Sequence, residues 1–450
     1  MRLHEVAKAL NARAIGADVE FEVVSTDSRN LPAGALFIAL RGERFDGHRF
    51  AAQALTLGAA AVMVDDKADL DLSPAIVVPD TRLALGQLAA WHRSRMPARV
   101  LAITGSNGKT TVKEMLAAIL KAEAGEAAVL ATTGNLNNDI GMPLTLLRLT
   151  PEHRYAVLEM GMNHPGELDY LSRLARPDAA LVNNALRAHL EGLGSVEAVA
   201  RAKGEIYAGL QDDGVALVNA DDPQAAVWRG LAGGRRIVEF GLAQGEVRVD
   251  YRLHDFSSEL TLHMPTGDVA LTLNVPGLHN VRNALAAAAM AHVAGVSPGH
   301  IAQGLTSYAG VKGRLQPHPC ILGARLIDDT YNANPDSVAA AIAVLAAQPG
   351  KRILVLGDMG ELGDDAAGLH REIGETARRS GLDRLLCLGE LTANTVEAFG
   401  AGAMHFERIE ELLAETEQAL GPDVTVLVKG SRFMQMERVV KSFVEAHVCS

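Results

Sequence analysis

The chain has 450 residues, 48% of them hydrophobic and 21% charged, with a formal net charge of −12. A length of this size leads to an expectation of about three domains, each able to bury its own core. The acidic balance excludes general nucleic-acid binding through a basic surface, although a local anion site remains compatible with it.

The opening run MRLHEVAKALNARA contains Glu5 and no continuous apolar core, so it does not read as a signal peptide. No stretch reaches the ~18 apolar residues that a membrane span needs. The most apolar helical candidate, Ala284 to Val296, is alanine-rich and contains His292. Cys320, Cys387 and Cys449 are far apart and odd in number, which suits a reducing cytosol and forms neither a disulfide framework nor a zinc pattern. Buried thiols and a cytoplasmic location are the expectation.

Residues 1–98 form the first expected unit. Strand-like runs lie at Ala35 to Leu40, Ala59 to Val64 and Ala75 to Val78. Two polar clusters separate them, STDSRNLPAG (Ser25 to Gly34) and RGERFDGHRF (Arg41 to Phe50), with turns at Pro32 to Gly34 and at Asp46-Gly47. These clusters read either as surface loops or as an anion site built on Ser25, Ser28, Arg29 and Arg41, because arginines and hydroxyls suit phosphate.

Residues 99–313 form the second. An apolar run, Val100 to Ile103, enters a loop of Gly105, Ser106, Asn107 and Gly108, followed by Lys109, Thr110 and Thr111. Val112, Met115, Leu116, Ile119 and Leu120 then mark one helical face. Strand, glycine loop and helix in this order direct loop amides and a helix N-terminus at a phosphate. The lysine reaches the outer oxygens and Thr110 is placed for Mg²⁺. The loop departs from the general pattern in having Thr104 where the first glycine is usual.

Next comes TTGNLNNDIGMPLTLLRL (Thr132 to Leu149), whose Asn135, Asn137 and Asn138 suit a polar ligand or simply a loop. YAVLEMGMNHPGEL puts Glu159 at the carboxyl end of a strand, the end at which open α/β sheets bind ligands. Beside a phosphate loop, Glu159 is a Mg²⁺-ligand candidate; otherwise it is a solvated strand end. AALVNNAL leads to His189, either a structural histidine or a second metal ligand.

A helix is expected over Ser195 to Leu210, capped by Ser195. Lys203 falls on its apolar face with Val199, Ala200, Ile206 and Tyr207. There it either snorkels or is buried with a depressed pKa. A neutral amine reacts with CO₂, and the resulting carbamate is an anion able to hold metal. VALVNADDP is a further strand with a polar end. From Arg236 to Val275 the period becomes two, with Thr266-Gly267-Asp268 as a turn, so an antiparallel meander is expected on an otherwise parallel sheet. Gly277 to Ala289 opens a helix whose Asn280, Arg282 and Asn283 either read an adenine edge or cap the helix.

Residues 314–450 form the third unit. Strands ARLIDD, RILVLGD, RLLCLG and VTVLVKG alternate with helical patterns at Ser337 to Ala347, His370 to Ser380, Ile409 to Leu420 and Phe433 to His447, which predicts a Rossmann-type sheet. Asp328, Asp329 and Tyr331, then Asp358, then Lys429, Ser431 and Arg432 stand at strand ends. GDMGELG is not a dinucleotide-binding pattern, and there is no internal repeat or low-complexity segment.

Taken together, STDSR, LFIALRGERFDGH, ITGSNGKTTVKEM, TTGNLNNDIGMPLTLL, LEMGMNHPGEL, AHLEGLGS, ARAKGEI, GLHNVRNALAA, GRLQ, DDTYNANPDS, GDMGELG and LVKGSR resemble the Mur ligase family over nearly the whole length. The NLNN loop and the DDTYNANP run are the more specific motifs, and the D-N-P-R run of the diaminopimelate-adding branch is lacking. The resemblance implies an α/β protein of three domains: a small N-terminal UDP-binding domain, a central P-loop domain with a mostly parallel sheet and an antiparallel extension, and a C-terminal Rossmann-like domain binding the incoming dipeptide and ATP. It implies an ATP-dependent amide ligase that joins D-alanyl-D-alanine to a UDP-N-acetylmuramoyl-tripeptide through an acyl phosphate, in peptidoglycan synthesis.

Carried over residue by residue, the resemblance gives Lys109 the γ-phosphate and Gly105 and Gly108 the close backbone approach. It makes Thr110, Glu159 and His189 metal ligands and Lys203 the carbamylated lysine. Asn280 and Asn283 become adenine contacts, and Arg314 and Asp329 contacts to phosphate and ribose. Ser25, Ser28, Arg29 and the Arg41 to His48 loop, including Asp46, fall in the UDP region. Asn135, Asn137, Asn138, Tyr331, Asn332, Asn334, Lys429, Ser431 and Arg432 are the further substrate candidates. The expected partners are those two substrates, with no nucleic acid and no membrane span, and the expected state is a monomer. The competing expectations are another Mur ligase or folylpolyglutamate-type ligase, and a non-catalytic ATP-binding switch.

Overall fold

The computed structural model describes residues 1–43, 45–68 and 71–444. Three α/β layers follow one another along the chain, each built on its own main sheet. The N-terminal sheet has five strands in the order Arg13–Ile15, Ala75–Val78, Ala61–Asp65, Leu36–Ile38, Val24–Ser25. Only the Arg13–Ile15 edge is antiparallel.

The central sheet is six-stranded and wholly parallel, in the order Arg236–Phe240, Val215–Asn219, Ala179–Val182, Arg99–Thr104, Tyr155–Glu159, Val129–Ala131. Strands covered on both faces read as continuous apolar runs, and Tyr155–Glu159 and Ala179–Val182 are buried at every position. The chain order reverses direction around Arg99–Thr104, which puts the glycine loop beside a switch point of the sheet.

The two-residue alternation from Arg236 to Val275 resolves differently from the expectation. Arg236–Phe240 is the parallel edge strand of the central sheet. The meander is a separate three-stranded antiparallel sheet, Arg248–Leu253, Ser258–His263 and Val269–Leu273, joined to that edge by the isolated bridge Phe240↔Val247. Its inward side chains Val249, Leu260, Leu262, Leu271 and Leu273 pack with the helix Leu278–Val293, so one apolar face explains the alternation.

The C-terminal sheet runs Gln316–Pro319, Arg325–Asp329, Val424–Lys429, Lys351–Gly357, Arg384–Leu388, Ala403–Phe406, parallel except for its first strand. The last of these strands in sequence, Val424–Lys429, lies in the middle of the sheet. Short edge strands Val129–Ala131, Gln316–Pro319 and Ala403–Phe406 and the helix Ala393–Phe399 were not expected; none carries a long enough apolar period. The helix expected over Ser195 to Leu210 is α only over Val196–Gly204 and continues as a 3₁₀ turn, Glu205–Gly209. The one expected from Phe433 begins as a 3₁₀ turn, Arg432–Met434, and becomes α over Glu437–Phe443; its expected residues 445–447, like Cys449, lie outside the described residues. Cys320 and Cys387 are buried.

The two domain junctions differ in kind. One hydrophobic cluster runs without a break from Leu3 through Leu88 to Leu171 and Trp228, so the N-terminal and central layers share a core. The C-terminal sheet has its own clusters on its two faces. Its contacts with the central domain are largely polar and are described next.

Candidate active site between the central and C-terminal domains

A cavity of about 910 Å³ separates the carboxyl ends of the central strands from those of the C-terminal sheet. The glycine loop forms one wall. Gly108, at φ 81°, caps the helix Lys109–Ala124 in the left-handed region. A Cβ there would stand 2.2 Å from Asn283 Oδ1 and 2.7 Å from Asn183 Nδ2, so both conformation and space demand glycine. Lys109 Nζ folds back to donate to the carbonyls of Gly105 (2.7 Å) and Ser106 (3.3 Å). Burial lowers its pKa, and the Glu159 carboxylate acts in the opposite direction.

Glu159 is 3% exposed at the end of its strand. Its Oε1 accepts from Asn137 Nδ2 at 2.8 Å, while its buried Oε2 has no hydrogen-bond partner. A buried carboxylate oxygen left without a partner is costly unless a cation completes it. Among the described residues no group of three or more His, Cys, Asp or Glu is gathered to hold a metal. The Thr110 hydroxyl accepts from an Arg314 guanidinium nitrogen at 2.9 Å, and the same guanidinium lies 4.2 Å over the Tyr331 ring. His189 adopts φ 58°, and its Nδ1 lies 2.8 Å from Glu361 Oε2 of the C-terminal domain. The hydrogen bond from His189 holds the Glu361 carboxyl below its ordinary range against its burial.

Lys203 is 1% exposed, and burial, reinforced by the charge of Lys109, drives its pKa well down. It stands behind the wall rather than lining the cavity. The Ser195 hydroxyl accepts from Ala198 N at 3.1 Å, so the expected cap of its helix is present.

Asn280 and Asn283 are buried in the helix Leu278–Val293 and line the cavity. Asn283 Oδ1 accepts from Asn183 Nδ2 at 3.0 Å, and Asn280 Nδ2 donates to the Pro276 carbonyl at 2.8 Å. From the C-terminal side, Lys429 Nζ donates to Asp329 Oδ2 (2.6 Å) and to the Asn332 carbonyl (2.8 Å). Burial raises the Asp329 carboxyl even against Lys429. Ser431 Oγ donates to the Ala333 carbonyl at 3.0 Å, and Arg432 pairs with Glu437 at 3.1 Å on the exposed side. Asn334 and Asn107 exchange amide hydrogen bonds of 2.7 and 3.2 Å across the domain junction.

The site candidates therefore separate into groups. Ser106 to Thr111, Asn137, Glu159, His189, Asn280, Asn283, Arg314, Asp329, Tyr331, Asn332, Asn334, Lys429, Ser431 and Arg432 meet at this cavity. Asn138 instead orders the turn leading into the helix Gly141–Leu146, its Oδ1 accepting from Gly141 N at 2.8 Å, and Asn135 is exposed. Ser25, Ser28, Arg29, Arg41, Asp46 and His48 lie on the N-terminal domain, away from the cavity. There Arg29 donates twice to Asp27, each bond 2.9 Å, and Arg41 spans Asp46 and Asp65. His48 Nδ1 lies 2.7 Å from Asp46 and its Nε2 accepts from Asp65 N at 3.0 Å.

Residues that sequence reasoning passed over also line the cavity, notably Asn183, Asn184, His279 and Glu361. Asn183 and Asn184 donate to the Asn107 carbonyl at 3.0 and 3.1 Å, and Asn184 Oδ1 accepts from Asn107 N at 2.9 Å, fixing the glycine loop. The signal available for them was a pair of amides at the end of a buried strand.

A phosphate loop facing a second α/β sheet across a polar cleft defines an enzyme that handles a nucleotide between two domains. Residues 20–93 match the Mur ligase family catalytic domain, 103–291 the Mur ligase middle domain and 313–432 the Mur ligase glutamate ligase domain. The chain belongs to the Mur ligase family. It is 46% identical to the UDP-N-acetylmuramoyl-tripeptide--D-alanyl-D-alanine ligase of Escherichia coli K12, over 99% of each chain. The crystal structure of MurF from Acinetobacter baumannii superposes with a TM-score of 0.91 at 38% identity, covering 98% of both chains. MurF of Thermotoga maritima in complex with ADP gives a TM-score of 0.83 at 27% identity, over 93% of this chain and 96% of that one.

Proposed function

We propose that this chain is an ATP-dependent peptide ligase that joins D-alanyl-D-alanine to the tripeptide carboxylate of a UDP-N-acetylmuramoyl-tripeptide, releasing ADP and phosphate. The observation that carries this is that Lys109 and Glu159, whose Oε2 has no partner, both line one interdomain cavity, in a chain nearly half identical to a ligase so named. A carboxylate is a poor acylating agent, and transfer of the γ-phosphoryl group to it creates a leaving group that the dipeptide amine displaces. Lys109 exchanges its loop carbonyls for the phosphate, and Arg314 adds a second cation from the other domain; their charges oppose the negative charge of the transferring group. Glu159, with Thr110 and His189 as further candidates, would hold a Mg²⁺ ion, which would supply further charge neutralisation there. The Asn107–Asn334 pair closes the cleft around the reacting groups, which protects an acyl phosphate from water.

Lys203 is the candidate for carbamylation. Its low pKa supplies the neutral amine that CO₂ requires, and a carbamate would convert its repulsion with Lys109 into attraction. The N-terminal domain is the candidate holder of the UDP end, with the Asp27 and Asp46 carboxylates exchanged for a diphosphate at Arg29 and Arg41. Among the described residues no helix is long and apolar enough to cross a membrane.

The test is phosphate release by purified protein with ATP, a UDP-tripeptide and either D-alanyl-D-alanine or single amino acids. Turnover with the dipeptide alone is the expected result. Turnover with a single amino acid or glutamate, and none with the dipeptide, would replace this reading by that of another family branch.

A further inference from the structure

The stretch from Asn183 to His189 lies between the two halves of the site. Its first residues hold the glycine loop: Ser106 N donates to the Asn184 carbonyl at 3.0 Å, and Leu186 N donates to Ser106 Oγ at 2.9 Å. Its last residue is His189. Between them stands Arg187, a residue with no place in the chemistry above.

Its guanidinium reaches two helices of the C-terminal domain. Nε and Nη2 donate to Asp336 Oδ1 at 3.1 and 2.8 Å, and Nη1 donates to Glu372 Oε2 at 2.7 Å. The Arg187 backbone amide donates to Asp336 Oδ2 at 2.8 Å. Asp336 sits in the first turn of the helix Pro335–Ala346, where the helix dipole favours a carboxylate. Glu372 lies on the helix Ala366–Arg379. Among the described residues neither carboxylate has another basic partner within salt-bridge distance.

Exposed ion pairs contribute little as a rule, because water screens them and two long side chains must be ordered. This one differs on three counts. A single planar fork serves two carboxylates, the backbone amide adds a fourth bond, and the Arg187–Asp336 half is 29% and 23% exposed, against 43% for Glu372. The same helix start also presents Asn334 to Asn107 in the glycine loop. One short segment of the C-terminal domain is therefore gripped twice, once at the phosphate loop and once just ahead of His189.

We propose that Arg187 is a positioning residue: its fork to Asp336 and Glu372 seats the C-terminal domain against the central one, and in doing so sets the loop that carries His189. This rests on the ligase reading for its kinetic consequence, but not for its structural one. The fork locks helix Pro335–Ala346 over the cavity, so the grip acts on the step that needs both domains.

The experiment compares Arg187→Met, the double variant Asp336→Asn/Glu372→Gln, and all three changes together. Steady-state kinetics are combined with hydrogen exchange of the intact protein. Arg187→Met is expected to lower kcat/KM for the dipeptide about tenfold, in line with the loss of charge-assisted bonds, while KM for the UDP-tripeptide stays within about twofold. The double variant should match it, and the triple variant should add little, because all three act through one contact. Exchange should quicken in Pro335–Ala346 and Ala366–Arg379 but not in the N-terminal sheet. Wild-type kinetics and wild-type exchange in Arg187→Met would overturn the proposal, as would fully additive losses in the triple variant. Exchange is read without turnover, so a wild type that fails to ligate the dipeptide removes the ligase reading and leaves the grip to be judged on exchange alone.

Discussion

Lys109 and Lys203 are two amines in one buried neighbourhood, and the chain treats them differently. Lys109 has two carbonyls to donate to and a carboxylate near it; Lys203 has burial and a like charge. Lys109→Ala should reduce ligation by about two to three orders of magnitude, as loss of one charge-stabilising donor does; near-normal turnover in a phosphate-release assay would remove the phosphate role. Lys203→Ala should also be inactive, with partial recovery in a short carboxylic acid. A fully active variant would dispose of the carbamate. His279 makes a third residue-scale case. Burial, with Lys429 and Arg282 nearby, presses its imidazole from 6.5 to about 4. Between those values the unfolded chain binds a proton that the folded chain refuses, so this contribution is complete above pH 6.5 and is lost as pH falls toward 4. Urea unfolding at pH 7.5 and 5 should then cost the wild type more stability than His279→Gln. Equal losses would mean that the ring is not held neutral. The placement of Lys109 and Glu159 at the cavity was legible from sequence, because one opens a helix after a glycine loop and the other ends a buried strand. His279 was not, since its depressed pKa draws on the charge of Lys429, 150 positions away in the sequence.

At the scale of elements, the glycine loop is the best-determined piece. Its turn needs a left-handed residue at Gly108, and the amides of Asn183 and Asn184 fix the backbone on either side of Asn107. Gly108→Ala introduces a strained conformation worth roughly 1–2 kcal/mol and a Cβ that collides with Asn283. Nucleotide affinity by calorimetric titration should fall about tenfold or more, and unchanged affinity would mean that the loop rearranges freely. The meander shows where pattern reasoning stops. Alternating side chains reveal an amphipathic antiparallel sheet, but nothing in a period of two says which sheet it joins. Packing against Leu278–Val293 settled that. The Arg29 and Arg41 clusters teach the same lesson from the polar side. Their residue types suit an anion, yet each arginine already has carboxylate neighbours inside its own domain.

Across the whole molecule, the contrast lies between an apolar junction and a polar one. The first two layers share a hydrophobic cluster and should melt as one cooperative unit. The C-terminal layer owns its core and touches its neighbour mainly through amides and ion pairs, with Leu190 and Phe256 packed at its edge. Scanning calorimetry of the intact protein should resolve at least two transitions, and a single two-state transition would contradict this division. A polar junction also suits a cleft that opens for two substrates, since little apolar surface is exposed when it parts. Sequence separated the three sheets well, because strand and helix patterns restart in each. The grip of Arg187 on Asp336 and Glu372 was out of reach, as it exists only once two domains are placed face to face.

The strand Val424–Lys429 gives the chain a direction in time. It is the last of its sheet to be synthesised, yet it inserts between Arg325–Asp329 and Lys351–Gly357 and brings Lys429 and Ser431 to the cavity. A ribosome-bound intermediate can complete the first two layers while the third is still split down its centre. The phosphate loop is then already built, but the wall opposite it is not. Truncated or stalled products would thus carry a nucleotide-binding half without its partner, so that a chain cut short anywhere before this strand is withheld from chemistry by its topology alone.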